Sequence, residues 1–459
     1  MTGAGAAGRV IDPIPCSYRD PAGFVFCDGA VYKRIVTIRG EADYCYFISC
    51  GLYEELANAG LLVRHDEELL AGGGRWTRVL VPEQIPYVSY PYEWSFEQLR
   101  DAALVTLDIQ ARALARGMTL KDASAYNVQF AGSKPVFIDT LSFRRRDGGA
   151  WAAYEQFCRH FLGPLLLMSS RWPDAGRYLG VNAEGFPLEI ASRLLPRTSY
   201  LRPGALLHIH LHARAIGRRA AAGRAEGRSA DVARLVESLR RTIERLRPPT
   251  DDGCWTGYYA EARFYPPGSQ ESKRDAVTAA LRRVRPALVY DLGANTGAYS
   301  REAAEMGALC VALDRDPACV GRLYLDERAR GGTRILPLVV DLANPSPALG
   351  FGLEGTMSLF ERPKADLALA LALLHHLRVT CNLPFEKIVP LLARLARWVL
   401  AEFIPFDDPA VGVLTSRTQD FEDYTLPAYL DAFARRFRLH ASWPVAGTGR
   451  VLHLFEAAP

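Results

Sequence analysis

Lysine is scarce in this chain of 459 residues: it occurs only at positions 33, 121, 134, 273, 364 and 387, and the rest of the positive charge is arginine. Beside the many alanines, that imbalance reads as compositional bias rather than as a function. Net charge is also small, +4 at neutral pH, so the total gives no reason to expect nucleic acid or a membrane surface as partner. No apolar run reaches the roughly 20 residues that cross a bilayer, and Met1 to Asp20 lack a basic segment followed by an apolar core, which argues against insertion and secretion. None of the nine cysteines forms a Cys-x-x-Cys pair. That leaves no zinc or redox motif and fits a reducing cytoplasm. Neither a metal site nor a membrane partner is expected.

What is present is a globular composition, 49% hydrophobic and 23% charged, in a chain too long for one ordinary core. Residues 1–20, rich in Gly, Ala and Pro, are expected to be a disordered tail. Phe24 to Phe26, Ala30 to Tyr32 and Arg34 to Ile38 then read as short strands with Asp-Gly turns, Tyr53 to Leu62 as a helix and Arg78 to Val81 as a strand. An aromatic stretch, Tyr87 to Ser95, leads into a long amphipathic helix from Phe96 to Arg116.

Leu120 to Phe130 sets Asn127 five residues after Asp122, and Val136-Phe-Ile-Asp139 puts another acid at the end of an apolar strand. This spacing resembles the catalytic loop and metal-binding aspartate of protein-kinase-like and aminoglycoside-phosphotransferase-like folds. The resemblance implies a two-lobed α+β domain over 21–212, with Asp122 as base, Asn127 and Asp139 as magnesium ligands, and Lys33 paired with Glu54 or Glu55. The chain departs from that pattern, having Leu120-Lys121 for His-Arg, Thr140-Leu141 for Phe-Gly, and no glycine-rich phosphate loop before Lys33. These departures favour a degenerate domain that binds without transferring phosphate. Simple turn-shaping by Asp122 and Asn127 is the plainer alternative.

His208, His210 and His212 alternate, a spacing that on a strand would face one metal ion. No Cys or carboxylate nearby completes such a set, so hydrogen-bonded structural histidines are expected. Residues 213–270 read as linker and connector: Ala213 to Ala230 is rich in Ala, Arg and Gly, and Ser229 to Leu246 has the period of an amphipathic helix. Its Arg face lacks interleaved aromatics and carries acids, which disfavours nucleic acid.

The most informative stretch is Val289-Tyr-Asp-Leu-Gly-Ala-Asn-Thr-Gly-Ala-Tyr-Ser300, a strand, a glycine turn and the start of a helix. Glycine lets backbone approach a ligand closely, and free N–H groups at a helix start receive polar or anionic atoms. A second strand, Leu309 to Leu313, ends at Asp314, about 20 residues after the turn, where an acid suits ribose hydroxyls. A third, Ile335 to Val340, ends at Asp341. The set resembles motif I and its partner acids in class I S-adenosylmethionine-dependent methyltransferases, with Asn295 in the place of the middle glycine. Over 271–459 the resemblance implies an α/β Rossmann-like fold, a seven-stranded sheet with a closing antiparallel hairpin. It implies S-adenosylmethionine as cofactor, with Asp291, Gly293, Asn295 and Gly297 around it, Asp314 on the ribose, Asp341 on the adenine amino group and Leu342 beside the ring. A dinucleotide site needs Gly-x-Gly-x-x-Gly, which Gly293, Asn295 and Ala298 fit poorly.

Methyl transfer asks the protein for alignment, desolvation and, with a hydroxyl acceptor, removal of a proton. His376 or His375, after the fourth strand, is the candidate base. Glu402, Asp407 and Asp408 after the fifth are substrate-side candidates. The fourth strand lacks the Asn/Asp-Pro-Pro-aromatic signature of many amino-nitrogen methylating enzymes, which favours O- or C-methylation of a small molecule. The whole chain resembles nodulation-associated methyltransferases. An RNA or protein methyltransferase, and a scaffold with two degenerate nucleotide folds, remain as alternatives.

Overall fold

The structure, a computed structural model, describes residues 3–4, 10–69, 76–170, 172–216, 232–248, 266, 268–412, 414 and 421–458. Most of the Ala, Arg and Gly-rich linker and the aromatic segment Trp255 to Tyr265 lie outside these residues. The chain forms two compact units, Met1–Thr250 with Pro347–Met357, and Asp251–Ser346 with Ser358–Pro459.

In the first unit, β1 (Gly23–Asp28), β2 (Val31–Thr37), β3 (His65–Leu69) and β4 (Trp76–Pro82) form an antiparallel sheet in the order β1-β2-β4-β3. The expected tail is shorter than 20 residues, because polar anchors fix its end. Ser17 Oγ accepts from the Val25 amide at 2.7 Å, and Lys121 Nζ lies 3.2 Å from Asp20. Residues Ile38–Ser49 form helix α1, where a strand was expected to run to Ile38 and no helix before Tyr53. Gly40 explains the difference: it looks like a breaker, yet a Cβ there would stand 2.5 Å from the Ala22 carbonyl oxygen, so close packing demands a glycine inside this helix. After α2 (Leu52–Asn58), helix α3 (Phe96–Ala115) starts on a capping box, in which the Gln98 amide donates to Ser95 Oγ and the Gln98 side chain reciprocates.

The rest of this unit holds two short hairpin ladders and a set of short helices. β5 (Met118–Leu120) pairs with β8 (Phe143–Arg145), and β6 (Val128–Ala131) with β7 (Lys134–Phe137). His208 and His210 sit in a helical segment, Leu206–Leu211, not on a strand. The His208 ring bridges Tyr154 and Ser238, and the His210 ring bridges Ser192 and Ser199. Helix α4 (Val232–Glu244), expected as part of a separate connector, belongs to this unit through Val236, Leu239 and Ile243.

The second unit is built on a seven-stranded sheet. After α5 (Ser269–Val284) come β9 (Leu288–Leu292), α6 (Ala298–Glu305), β10 (Leu309–Asp314), α7 (Pro317–Arg330), β11 (Ile335–Val339) and β12 (Ala365–Ala370). Then follow α8 (Phe385–Leu395), β13 (Ala396–Phe403), α9 (Leu426–Ala434), β14 (Phe437–Pro444) and β15 (Val451–Ala457). Strand order is β11-β10-β9-β12-β13-β15-β14; the first five are parallel and the last two form an antiparallel hairpin inserted beside β13. Strands buried on both faces read as continuous apolar runs, as Ile335–Val339 does. Val277, Leu281 and Ala303 cover one face through Val289, Leu369 and Leu454. On the other, Phe433 of α9 stacks on Phe455 at 4.2 Å between centroids. The chain leaves β9 first toward β10 and later toward β12. A crevice therefore opens at the carboxyl ends of these strands, where the winding reverses.

Candidate functional site

A cavity of about 350 Å³ occupies that crevice. Of the residues singled out from the sequence, Gly293, Asn295, Asp314, Asp341, Leu342 and His376 line it. Four strand ends thus converge on one space, although their residues span more than eighty positions of chain.

The glycine turn is fixed by main-chain bonds. The amides of Gly293 and Ala294 both donate to the Leu313 carbonyl, at 2.8 and 3.0 Å, tying the end of β9 to the end of β10. Gly293 has φ +76°, and Asn295 stands at φ +51°. Asparagine is among the few residues that tolerate this left-handed region, which accounts for its use where a glycine is usual. The Asn295 amide donates to Asp314 Oδ2 at 2.7 Å, and the Asp316 amide to Asp314 Oδ1 at 2.9 Å. Asp314 is therefore oriented from both sides, and burial raises its carboxyl above the usual carboxylate range. Asp341 is similarly aimed, its Oδ1 accepting from the Ala343 amide at 2.9 Å.

Two motif residues act behind the cavity wall rather than on it. Asp291 is buried and accepts from Ser300 Oγ at 2.6 Å, holding the first turns of α6; burial pushes its carboxyl up to about 6. Gly297 starts α6 at φ +78°, and a Cβ there would come 2.5 Å from Leu323 Cδ1 of α7. Gly297→Ala is expected to lower stability by roughly 1–3 kcal/mol, from left-handed backbone strain and overpacking. Asn295→Gly relieves strain and is expected to be near neutral. Urea unfolding of both variants checks the contrast.

His376 lies in the cavity wall, and its imidazole is held down to about 4, first by burial and then by the Arg315 charge. His375 is buried beside it, ring centroids 4.2 Å apart, and does not line the cavity. Its Nδ1 has no hydrogen-bond partner, and burial lowers its pKa well below the ordinary value. Glu402, read from the sequence as substrate-side, is instead part of the frame. Its Oε2 accepts from Lys273 Nζ at 2.7 Å and from the Ala372 amide at 2.7 Å, with the Lys273 and Glu402 side chains away from solvent. Ala372 itself has φ +49° and lines the cavity. Asp408 is likewise committed, bonding Arg450 Nε and Nη2 at 2.8 and 2.9 Å. Lys273 escaped the sequence reading, though one signal was available: it shares a helical face with Ala276, Val277 and Ala280, all buried.

His160, His208, His376 and His453 are each held down to about 4, chiefly by burial. In the unfolded chain they protonate near 6.5. Between pH 6.5 and 4 the unfolded state therefore binds more protons, so stability falls as pH drops through that window. Asp291 opposes this, as do Asp122, Asp314, Glu97 and Glu302, whose raised pKa favours the protonated folded form. His65, His210 and His375 are lowered as well and add to the four. Between pH 7 and 5 the histidines dominate, because their unfolded value of about 6.5 lies inside that range. The thermal midpoint is expected to decline on acidification from pH 7 to 5; a rise would contradict this balance.

In the first unit, Asp122, Asn127 and Asp139 do gather. Asn127 Nδ2 donates to Ser142 Oγ at 3.1 Å, which donates to Asp139 Oδ2 at 2.9 Å. Asp122 bonds the side chain of Asn127, and its carboxyl is raised by burial and by the Asp139 charge. The cation on Asp139 is not Lys33 but Arg34, at 2.9 Å. Lys33 pairs with Glu68 at 3.2 Å and Asp28 at 3.3 Å, not with Glu54 or Glu55; Glu55 is taken by Arg112 and Arg116. On a strand, neighbouring side chains point to opposite faces, so a shift of one residue decides which cation enters the site. Among the described residues no group of three or more His, Cys, Asp and Glu is placed to hold a metal ion.

No protein-family model matches this chain. The nodulation protein NoeA of Rhizobium meliloti (strain 1021) is 32% identical over 459 residues, covering 96% of this chain and 95% of that protein. Among solved structures, magnesium protoporphyrin IX methyltransferase of Synechocystis PCC 6803 with bound SAH matches at 20% identity and TM-score 0.31, over 44% of this chain and 94% of that one. The N-methyltransferase NodS of Bradyrhizobium japonicum WM9 matches at 12% identity and TM-score 0.30, over 41% and 98%. The bifunctional kinase-methyltransferase WbdD matches at 20% identity and TM-score 0.28, over 41% and 39%.

Proposed function

The chain belongs to the family of the nodulation protein NoeA, and we propose that it transfers a methyl group from S-adenosylmethionine to oxygen or carbon of a small molecule. The observation that carries this reading is the convergence of the glycine turn, Asp314, Asp341 and Leu342 on one cavity at the switch point of the sheet. When bound, S-adenosylmethionine supplies an electrophilic methyl group on a sulfonium centre.

The residues present fit that cofactor. Asp314, held by two amides, offers its remaining lone pairs to paired ribose hydroxyls without reorganising. Asp341 suits an amino group, and the apolar side chain of Leu342 suits the flat face of a ring. Gly293, at φ +76°, presents no Cβ between its backbone and a ligand. Asn295 completes the turn that aims Asp314.

His376 is the proton acceptor in this proposal. It is neutral near pH 7 and borders the cavity, the protonation state and position that taking a proton from an acceptor hydroxyl requires. His375 packs beside it, and Glu402 holds the cavity wall through the Ala372 amide. The first unit serves in substrate or partner binding: Asp139 is neutralised by Arg34 and bonded to Ser142, an arrangement suited to holding the fold rather than a nucleotide-bound metal.

Methyl-labelled S-adenosylmethionine, incubated with the protein and a fractionated cell extract, tests the reading. Label is expected in the small-molecule fraction. Label in RNA or protein instead would favour a macromolecular acceptor, and label in no fraction would favour a scaffold. His376→Asn is expected to reduce incorporation about 10²-fold, the lower range for loss of a general base, with affinity for S-adenosylhomocysteine changed less than about threefold.

A further inference from the structure

One stretch of the first unit is used by none of this. No acidic residue occurs between Glu189 and Glu226, while Arg193, Arg197, Arg202 and Arg214 fall in that interval and are exposed. The same interval presents Ile190, Leu194, Leu201, Leu207 and Leu211 to solvent, Leu201 at 84% exposure. Exposed aliphatic side chains scattered singly are ordinary, but a group of them among arginines and without acids marks an interaction surface.

The group is held together by a single imidazole. Ser192 of the helix Leu188–Leu194 and Ser199 of the turn Arg197–Leu201 both hydrogen-bond the buried ring of His210, at 2.7 and 2.8 Å, and His210 belongs to Leu206–Leu211. Tyr200 stacks on the same ring at 3.8 Å. Inward positions are filled by Ala191, Leu195 and Ile209, which leaves the leucines named above facing outward. Beside them runs a groove of about 1180 Å³, lined by Leu201, Arg202, Leu207, Arg234 and Arg245 and by Arg241, which is paired with Glu237 of the same wall at 2.7 Å. Residues 193–247 hold thirteen arginines against four acids, more positive charge than the whole chain carries at +4, so the remainder is net negative.

We propose that this face docks the protein on an anionic bilayer surface, with the leucines entering the headgroup region and the arginines pairing with lipid phosphates. Exposed leucines gain free energy on entering a lipid interface and little against a nucleic acid. The interval's one aromatic residue, Tyr200, is already stacked on His210 and so is not available for base stacking. Arginines near an anionic leaflet each add about 1 kcal/mol of attraction. The absence of a membrane partner inferred from the sequence rested on the length of apolar runs, which bears on spanning a bilayer and not on lying against one. Among the described residues no helix is long and apolar enough to cross a membrane, and surface docking needs none.

Co-sedimentation of the full chain with vesicles tests this. Binding is expected to phosphatidylcholine vesicles containing phosphatidylglycerol, to be absent with phosphatidylcholine alone, and to fall as salt rises. Leu201→Asn combined with Leu207→Asn is expected to lower the partition coefficient at least about tenfold. Arg202→Gln and Arg245→Gln are each expected to lower it about fivefold, and all variants should keep the parent thermal midpoint and affinity for S-adenosylhomocysteine. Failure to bind anionic vesicles, equal binding to neutral ones, or an unchanged partition of the leucine variant would overturn the proposal. So would RNA binding stronger than vesicle binding and insensitive to the leucines, which would assign the surface to a nucleic acid.

Discussion

Asp314→Ala raises the dissociation constant for S-adenosylhomocysteine by about 10²–10⁴-fold. The magnitude follows from what the carboxylate does. Two hydroxyls donating to a charged acceptor are worth roughly 1.5–3 kcal/mol each, and each 1.4 kcal/mol is a factor of ten in affinity. Alanine also releases the amides of Asn295 and Asp316, which Asp314 accepts at 2.7 and 2.9 Å, so the turn loses its aim together with its partner. Asp314→Asn keeps one acceptor oxygen in nearly the same shape and should lose only about tenfold. Calorimetric titration measures both, and the thermal midpoint separates a lost contact from a lost fold. Binding of the alanine variant within threefold of the parent would remove the cofactor assignment.

The second large effect is on stability. Lys273→Met takes from Glu402 its 2.7 Å partner in a dry interior and leaves it the more distant Arg450, at 4.0 Å, so the loss lies toward the lower end of the roughly 3–5 kcal/mol that removing one partner of a buried ion pair costs. Lys273 is 1% exposed and Glu402 likewise. The double variant Lys273→Met with Glu402→Gln removes both charges while keeping an acceptor for the Ala372 amide, and should recover most of the loss. Chemical denaturation of the two singles and the double gives the coupling directly. A lysine variant as stable as the parent would show that the pair contributes nothing. The pair also reaches the cavity: Glu402 supports Ala372, whose φ of +49° is a conformation alanine rarely holds unaided. Part of the loss should therefore appear as weaker cofactor binding even where the fold survives.

How far the sequence could carry these conclusions depended on whether the signal was local. The strands β9, β10 and β11 are short apolar runs closed by a glycine or an acid, and Asp314 and Asp341 could be placed at strand ends because the pattern repeats at that spacing. Asn295 could be read as a turn residue because its tolerance of positive φ is its own property. What could not be read was partnership between distant positions. Nothing near Glu402 announces Lys273, 129 residues earlier, so a carboxylate at a strand end looked available when it was already engaged. Lys33 and Arg34 differ by one position, and only the register of β2 with β1 and β4 decides which of them meets Asp139. The helix Ile38–Ser49 stayed hidden for a like reason: Gly40 packs against the Ala22 carbonyl, a contact that only the fold brings about.

The segment Pro347–Met357 belongs to the first unit although the chain reaches it only after β11 of the second. On a ribosome this imposes an order. The first unit cannot be completed when Thr250 emerges, and must wait roughly a hundred residues, about 5–20 s at ordinary elongation rates, for its last piece to arrive. During that interval the nascent chain holds a partly finished domain while β9, β10 and β11 of the next are being made. A translational pause placed between these points would lengthen the exposure, and truncation after Thr250 would make it permanent.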